Sequence, residues 1–171
     1  MTSVEIVSGS IVDITADAIV NAANEGLTDG GGVCGVIFRA AGKGELWASC
    51  KVFGGCATGQ AVITPSHRLA ERGIKHIIHT VGPRWGDHPP ETCDALLESS
   101  YRSSLEIAES NGLLSIAFPP ISTGIFNFPK DRGADIAVRV TKSHQGSLDN
   151  IYLVAVDDEV RNILESAMQR N

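Results

Sequence analysis

The chain has no Cys-x-x-Cys pair: its four cysteines, Cys34, Cys50, Cys56 and Cys93, stand at irregular spacings. With no export signal beside them they read as free thiols rather than a disulfide or metal frame. Long hydrophobic runs are absent as well, since stretches such as 116–120 and 151–156 fall far short of the ~20 residues that cross a bilayer. Met1-Thr2-Ser3-Val4-Glu5 has neither a basic flank nor a hydrophobic signal core, so a cytoplasmic location and no membrane partner are expected. Excess positive charge is missing too. Against 20 Asp and Glu there are 14 Lys and Arg, a formal net charge of −6, so nucleic acid is not an expected partner. A smaller anion stays open if some local feature supplies positive potential.

What is present is an ordinary globular mix. Hydrophobic types make up 43% of the 171 residues, which excludes disorder, while 18 Gly and 7 Pro exclude a coiled coil. One domain over 1–171 is expected, large enough to fold without a metal or disulfide staple. Periodicity predicts strands over 4–7, 18–20, 61–64, 75–81, 113–121 and 150–156, the second ending at the polar Asn21. Helices are predicted over 33–41, 91–110, 131–142 and 158–169, with Asn111-Gly112 as a C-terminal stop. Residues 84–91 form the most obvious surface loop. Such alternation predicts an α/β fold, a three-layer α/β/α sandwich. Ligands of such sheets lie outside the carboxyl ends of the strands. Three of those ends carry unusual residues: 21–35, 122–128 and Asp157-Asp158.

After the second strand comes Asn24, then Gly30-Gly31-Gly32-Val33 at a helix start. Three glycines clear every side chain from the approach, so main-chain N–H groups and the helix dipole can face an anion. The run reads equally as a flexible turn. It is neither a Walker A loop, having no Gly-Lys-Ser/Thr, nor a Rossmann Gly-x-Gly-x-x-Gly. A second small-residue loop, Ser122-Thr123-Gly124-Ile125-Phe126, follows the buried 113–121 strand. Two such nests at neighbouring strand ends suit a diphosphate, with Phe126 covering a sugar. Taken as structure alone, Phe126 and Phe128 read first as core.

Ala18-Ile19-Val20-Asn21-Ala22-Ala23-Asn24, the glycine run, Arg39-Ala40-Ala41-Gly42, Thr58-Gly59-Gln60-Ala61, His79-Thr80-Val81-Gly82-Pro83 and Ile121-Ser122-Thr123-Gly124 stand in one order across nearly the whole chain. Together they resemble the macrodomain family, closest to its MacroD-type and some viral branches. The resemblance implies a central mixed sheet, binding of ADP-ribose or an ADP-ribosylated protein, and often removal of ADP-ribose from modified proteins, with no further cofactor. It places Asn24 on the distal ribose. It gives Gly31, Gly32 and Val33 to the first diphosphate loop and Ser122, Thr123, Gly124, Ile125 and Phe126 to the second. Ile11 falls beside the adenine, and Asn21 has a largely structural role.

The chain departs from that pattern at several positions. Cys34 stands where MacroD-type relatives have an aspartate thought to help activate water, and Phe38 replaces a histidine one turn later. A helix N-terminus lowers a thiol's pKa, but a bound diphosphate pushes it back up, so Cys34 reads first as packing or ligand-lining and second as catalytic. Ser10 replaces an aspartate that accepts from the adenine amino group, with Asp13 nearby but out of register, and Val156 stands near where relatives place an aromatic. A serine acceptor is weaker by roughly 1 kcal/mol.

Other chemistries fare worse. His76 and His79 face opposite sides of a strand and make a poor metal pair, while His67, His88 and His144 read as surface residues. Asp157-Asp158 reads as a helix start, and no nucleophile elbow is present. The expected function is hydrolysis of mono-ADP-ribose esterified to acidic side chains, with Asn24, Phe126 and secondarily Cys34 as catalytic candidates. The alternatives are a non-catalytic ADP-ribose reader and an O-acetyl-ADP-ribose deacetylase.

Overall fold

In strand 18–22 Ala18 and Val20 pack on one face of a sheet and Ile19 on the other, the two-residue alternation of a strand buried on both sides. The computed structural model describes Met1–Asn171 and holds six strands. These are β1 (Ser3–Ser8), β2 (Ala18–Ala22), β3 (Ala61–Pro65), β4 (His76–Thr80), β5 (Ser115–Phe118) and β6 (Asn150–Ala155). They form one sheet in the order β1-β6-β5-β2-β4-β3, parallel except for the antiparallel β3–β4 edge. The predicted mixed-sheet α/β class is what the chain adopts.

Helices α1 (Gly32–Ala41) and α2 (Lys43–Cys50) cover one face, where Ile37, Phe38 and Leu46 meet Ile19, Ile77 and Val154. Helices α3 (Pro90–Ser110), α4 (Lys130–Ser143) and α5 (Asp158–Arg170) cover the other, where Leu97, Tyr101, Val138 and Leu164 meet Val20, Ile116, Phe118 and Leu153. Asp157 caps α5, its carboxylate accepting from the Val160 N–H at 2.9 Å. No helix is long and apolar enough to cross a membrane.

Three details differ from the sequence reading. Strand β2 continues through Asn21 and Ala22, which pair with His79 and Thr80 of β4, because a buried neighbour strand satisfies them beyond the apolar run. Strand β5 is shorter than 113–121: Pro119 and Pro120 lack amide hydrogens to continue the ladder, and the Leu114 N–H goes to the Asp17 carboxylate at 2.8 Å. Helix α2 was not predicted, since only Leu46 and Cys50 are buried and its other face is polar or exposed.

The connections open a crevice. Strands β2 and β5 pair only at Ala18–Ile116 and Ile19–Ala117, after which β2 stays with β4 and β5 with β6. The chain leaving β2 enters α1 on one face, while that leaving β5 enters α4 on the other. Parting strands with opposed crossovers make the place where α/β sheets take ligands.

Candidate functional site

A cleft of about 780 Å³ lies over the carboxyl ends of β1, β6, β5 and β2. Four strands at the usual spacing span about 14 Å. Ser10, Ile11, Asn24, Gly31, Gly32, Val33, Cys34, Ser122, Thr123, Gly124, Ile125 and Phe126 all line it. The residues nominated from sequence are therefore brought together in one trough.

The first loop enters α1 through Gly31, extended at φ −87° and ψ 179°, and Gly32, at φ +59°. A side chain at Gly32 would be strained in that left-handed backbone and would stand over the cleft. The amides of Gly31, Gly32 and Val33 have no backbone acceptor, and the first helical bond comes only at Gly35 N–H to Gly31 O, 3.4 Å. No acidic side chain occupies the first turn of α1 to neutralise its positive dipole end.

The second loop is folded on itself. Phe128 N–H bonds Ser122 O at 2.9 Å, Asn127 N–H bonds Gly124 O at 2.9 Å, and Trp85 N–H holds Phe126 O at 2.8 Å. The amides of Thr123, Gly124, Ile125 and Phe126 are left without backbone acceptors. Ser122 has φ +68°, uncommon for serine, and its buried hydroxyl has no partner. Ile125 is exposed and lines the rim of the trough. Phe128 is core, edge-on to Trp85 at 4.9 Å, whereas Phe126 is half-buried at the cleft wall with the Arg84 guanidinium 5.2 Å from its ring centre.

Charged side chains contribute little to this cleft. Among its lining residues only Arg39 and Lys130 carry charge, and Lys130 is paired with Glu159. No acidic residue lines it. Asn24 spends its amide on the loop beside it: Oδ1 accepts from the Thr28 N–H at 3.0 Å and its hydroxyl at 3.2 Å, and Nδ2 donates to Thr28 O at 2.9 Å. One Nδ2 hydrogen remains for a ligand.

Beneath the first loop lies a buried polar chain. Cys34 is 5% exposed, and its thiol donates to Thr28 O at 3.5 Å and accepts from Asn21 Nδ2 at 3.7 Å. Burial pushes its pKa up, outweighing the Asn21 hydrogen bond that lowers it, and Asp29 adds to the rise. Asn21 Nδ2 also donates to His79 Nδ1 at 3.1 Å, so His79 carries its proton on Nε2 and donates to Thr64 Oγ1 at 3.0 Å. Burial lowers the His79 pKa to about 4, keeping it neutral.

Comparison with known proteins decides the family. The family model described as Macro domain matches residues 20–137, more than half of the chain. A Macro domain-containing protein of Lactiplantibacillus plantarum is 42% identical over 98% of this chain and 97% of its own. The chain belongs to the macro domain family. An O-acetyl-ADP-ribose deacetylase of Salmonella typhimurium is 43% identical over 95% of this macrodomain and 93% of its own length. Among solved structures, the Oceanobacillus iheyensis macrodomain with ADP superposes with a TM-score of 0.90 at 34% identity, covering 96% of this chain and 89% of that one.

The departures of this macrodomain now have physical readings. Phe38 is 1% exposed in the core and does not line the cleft, so truncating it costs about 3–5 kcal/mol of packing. Asp13 faces away from the cleft, paired with Arg72 at 2.9 Å, and leaves Ser10 alone at its position. His144 is not a surface residue: it is half-buried and bonded to Glu109 at 2.8 Å. His67 is likewise half-buried, bonded to Ser49 at 2.8 Å, while His88 is exposed. The sequence reading missed Arg84 against Phe126 and the unpaired Arg39 on the rim. A guanidinium stacked on an aromatic from a distant loop leaves no local periodic signal.

Proposed function

We propose that this macrodomain binds ADP-ribose and hydrolyses mono-ADP-ribose esterified to acidic side chains of proteins. The observation that carries the reading is the pair of loops at the ends of β2 and β5, whose seven residues with unpaired amides all line one acid-free crevice. The diphosphate lies between Gly31–Val33 and Thr123–Phe126, the adenosine extends toward β1 and β6, and the distal ribose reaches Asn24 and Phe126. Positioning and fixed dipoles supply the rate enhancement. Cys34, with a raised pKa and its S–H given to Thr28, is not the base. A water held against the diphosphate attacks C1″ of the distal ribose. The bond from C1″ to the acyl oxygen breaks, the side chain leaves as a carboxylate, and the water's proton passes to a diphosphate oxygen.

The relatives called O-acetyl-ADP-ribose deacetylases favour a second reading of the same cleft, in which the acyl group removed is acetate. Calorimetry with ADP-ribose, then release assays on a mono-ADP-ribosylated protein and on O-acetyl-ADP-ribose, test both. Binding with release from the protein supports the first reading, and release of acetate alone supports the second. Binding without release over hours makes the chain a reader. Absence of binding overturns all three.

A further inference from the structure

In a chain with a net charge of −6, nearly every cation is spent on a carboxylate. Lys142 donates instead to Asn171 O at 2.9 Å, and only Arg39, Lys51 and Arg84 are left without a bonded acceptor. Lys51 stands on the exposed turn after α2 and does not line the cleft, while Arg39 lies on the α1 rim. Arg84 is placed differently. Its exposed guanidinium stands over the ring of Phe126, the aromatic in the cleft wall, at 5.2 Å from the ring centre.

The backbone that carries Arg84 is pinned. Trp85 N–H bonds Phe126 O at 2.8 Å, and Asp87 N–H bonds Arg84 O at 3.3 Å. Trp85 is packed edge-on to Phe128, with the Arg132 guanidinium 5.3 Å from its ring centre. Arg132 is the informative contrast. It also stands over an aromatic, but both Asp94 oxygens hold it, at 2.7 and 2.6 Å. Arg84 has no such acid, and Asp87 in the same turn makes no ion pair with it.

We infer that Arg84 is a specificity residue that takes a carboxylate flanking the modified side chain, so that the preferred partner is an acidic peptide segment. The inference deepens the ADP-ribose reading above and rests on it. With the distal ribose against Phe126, the side chain joined to C1″ leaves the cleft beside that ring. Arg84 does not itself line the cleft, so its charge meets the protein rather than the nucleotide. A cation over a ring face spends none of its N–H donors, and a guanidinium offers them as a planar fork that fits a carboxylate. A residue two positions along an extended peptide lies about 7 Å away, inside the Debye length of about 10 Å at 0.1 M salt. Elsewhere the negative surface of the chain repels such a partner.

The test uses two peptides carrying ADP-ribose on a glutamine amide, the non-ester isostere of the glutamate linkage, one flanked by Asp and Glu and the other by Ser and Ala. Calorimetry compares them with free ADP-ribose for the whole wild-type chain, Arg84→Ala and Arg84→Lys. At low salt the wild type is expected to bind the acidic peptide at least about threefold tighter than the neutral one, the size an exposed ion pair supports. Arg84→Ala is expected to abolish that ratio while leaving free ADP-ribose affinity within about twofold, and Arg84→Lys to restore part of it. A smaller wild-type ratio, or one that persists in Arg84→Ala, overturns the inference and leaves the ADP-ribose reading intact. So does an Arg84→Ala loss that falls equally on all three ligands, which would make Arg84 a prop for Phe126. If free ADP-ribose does not bind the wild type, that reading fails and the inference with it.

Discussion

Gly82 lies directly against Ser122: a Cβ at position 82 would come within 2.1 Å of the Ser122 hydroxyl and 2.6 Å of Ile121 Cγ2. The segment that follows β4 thus sets the height of the second loop, and Gly82 leaves the space that lets the loop sit down. Gly82→Ala is expected to cost about 1–3 kcal/mol by overpacking and to lift the Thr123–Phe126 amides out of position. Thermal melting should show the loss of stability, and calorimetry an affinity for ADP-ribose at least tenfold weaker.

Cys34 separates two views of catalysis. If its thiol only fills space under the first loop, Cys34→Ala keeps turnover on a mono-ADP-ribosylated protein within about threefold. Its raised pKa also means that no thiol ionisation shapes the rate between pH 6 and 8. Cys34→Asp puts a carboxylate within reach of Asn21 Nδ2, on the side where the proposed mechanism needs its water, and is expected to raise turnover while lowering the melting temperature. An unchanged rate in Cys34→Asp, with ADP-ribose affinity intact, counts against the water-attack mechanism.

The pH dependence of stability follows from His79. Its folded pKa of about 4 lies below the ordinary 6.5, so the unfolded chain takes up the proton first. Stability is therefore full above pH 6.5 and falls as the pH drops toward 4, by about 3 kcal/mol across that window. Glu109 acts lower. Burial would raise its pKa, but bonds from the Ser147 hydroxyl, His144 and the Ser147 and Leu148 amides outweigh burial and bring it to about 2, so its contribution is lost only between pH 4.5 and 2. Melting curves from pH 7 to 4.5 should fall steeply for the wild type. His79→Gln should melt lower at pH 7 and show a flatter slope.

How far these features could be read from the chain varied with their physical origin. Strand and helix alternation was legible because Ala18, Ile19 and Val20 alternate faces and α3 repeats Leu97, Tyr101 and Leu105 on one side. Helix α2 was not, since its buried face is only Leu46 and Cys50. Both glycine loops were legible as anion nests, and every residue nominated there lines the cleft. The Asn21–His79–Thr64 chain was hidden, because its partners come from three strands and meet only after the sheet forms. Phe126 and Phe128 look alike in sequence. Only the bonds from Phe128 N–H to Ser122 O and from Trp85 N–H to Phe126 O send one ring to the core and the other to the cleft wall.

A grip made of amides responds weakly to salt and to loss of side-chain charge. Arg39→Ala and Lys130→Ala are each expected to change ADP-ribose affinity less than about threefold. Raising salt from 50 to 300 mM is expected to do no more, since no chain of exposed cations is being screened. A tenfold loss in either variant, measured by calorimetry, would give the diphosphate to side chains instead.

Amide-resolved NMR during titration with ADP-ribose observes the contact itself. The backbone N–H signals of Gly31, Gly32, Val33, Thr123, Gly124, Ile125 and Phe126 should move downfield together and saturate with one binding constant, as unpaired donors acquire phosphate oxygens. Saturable binding that leaves those seven signals in place, with the changes centred on Arg39 and Lys130, would show that the main chain does not hold the diphosphate.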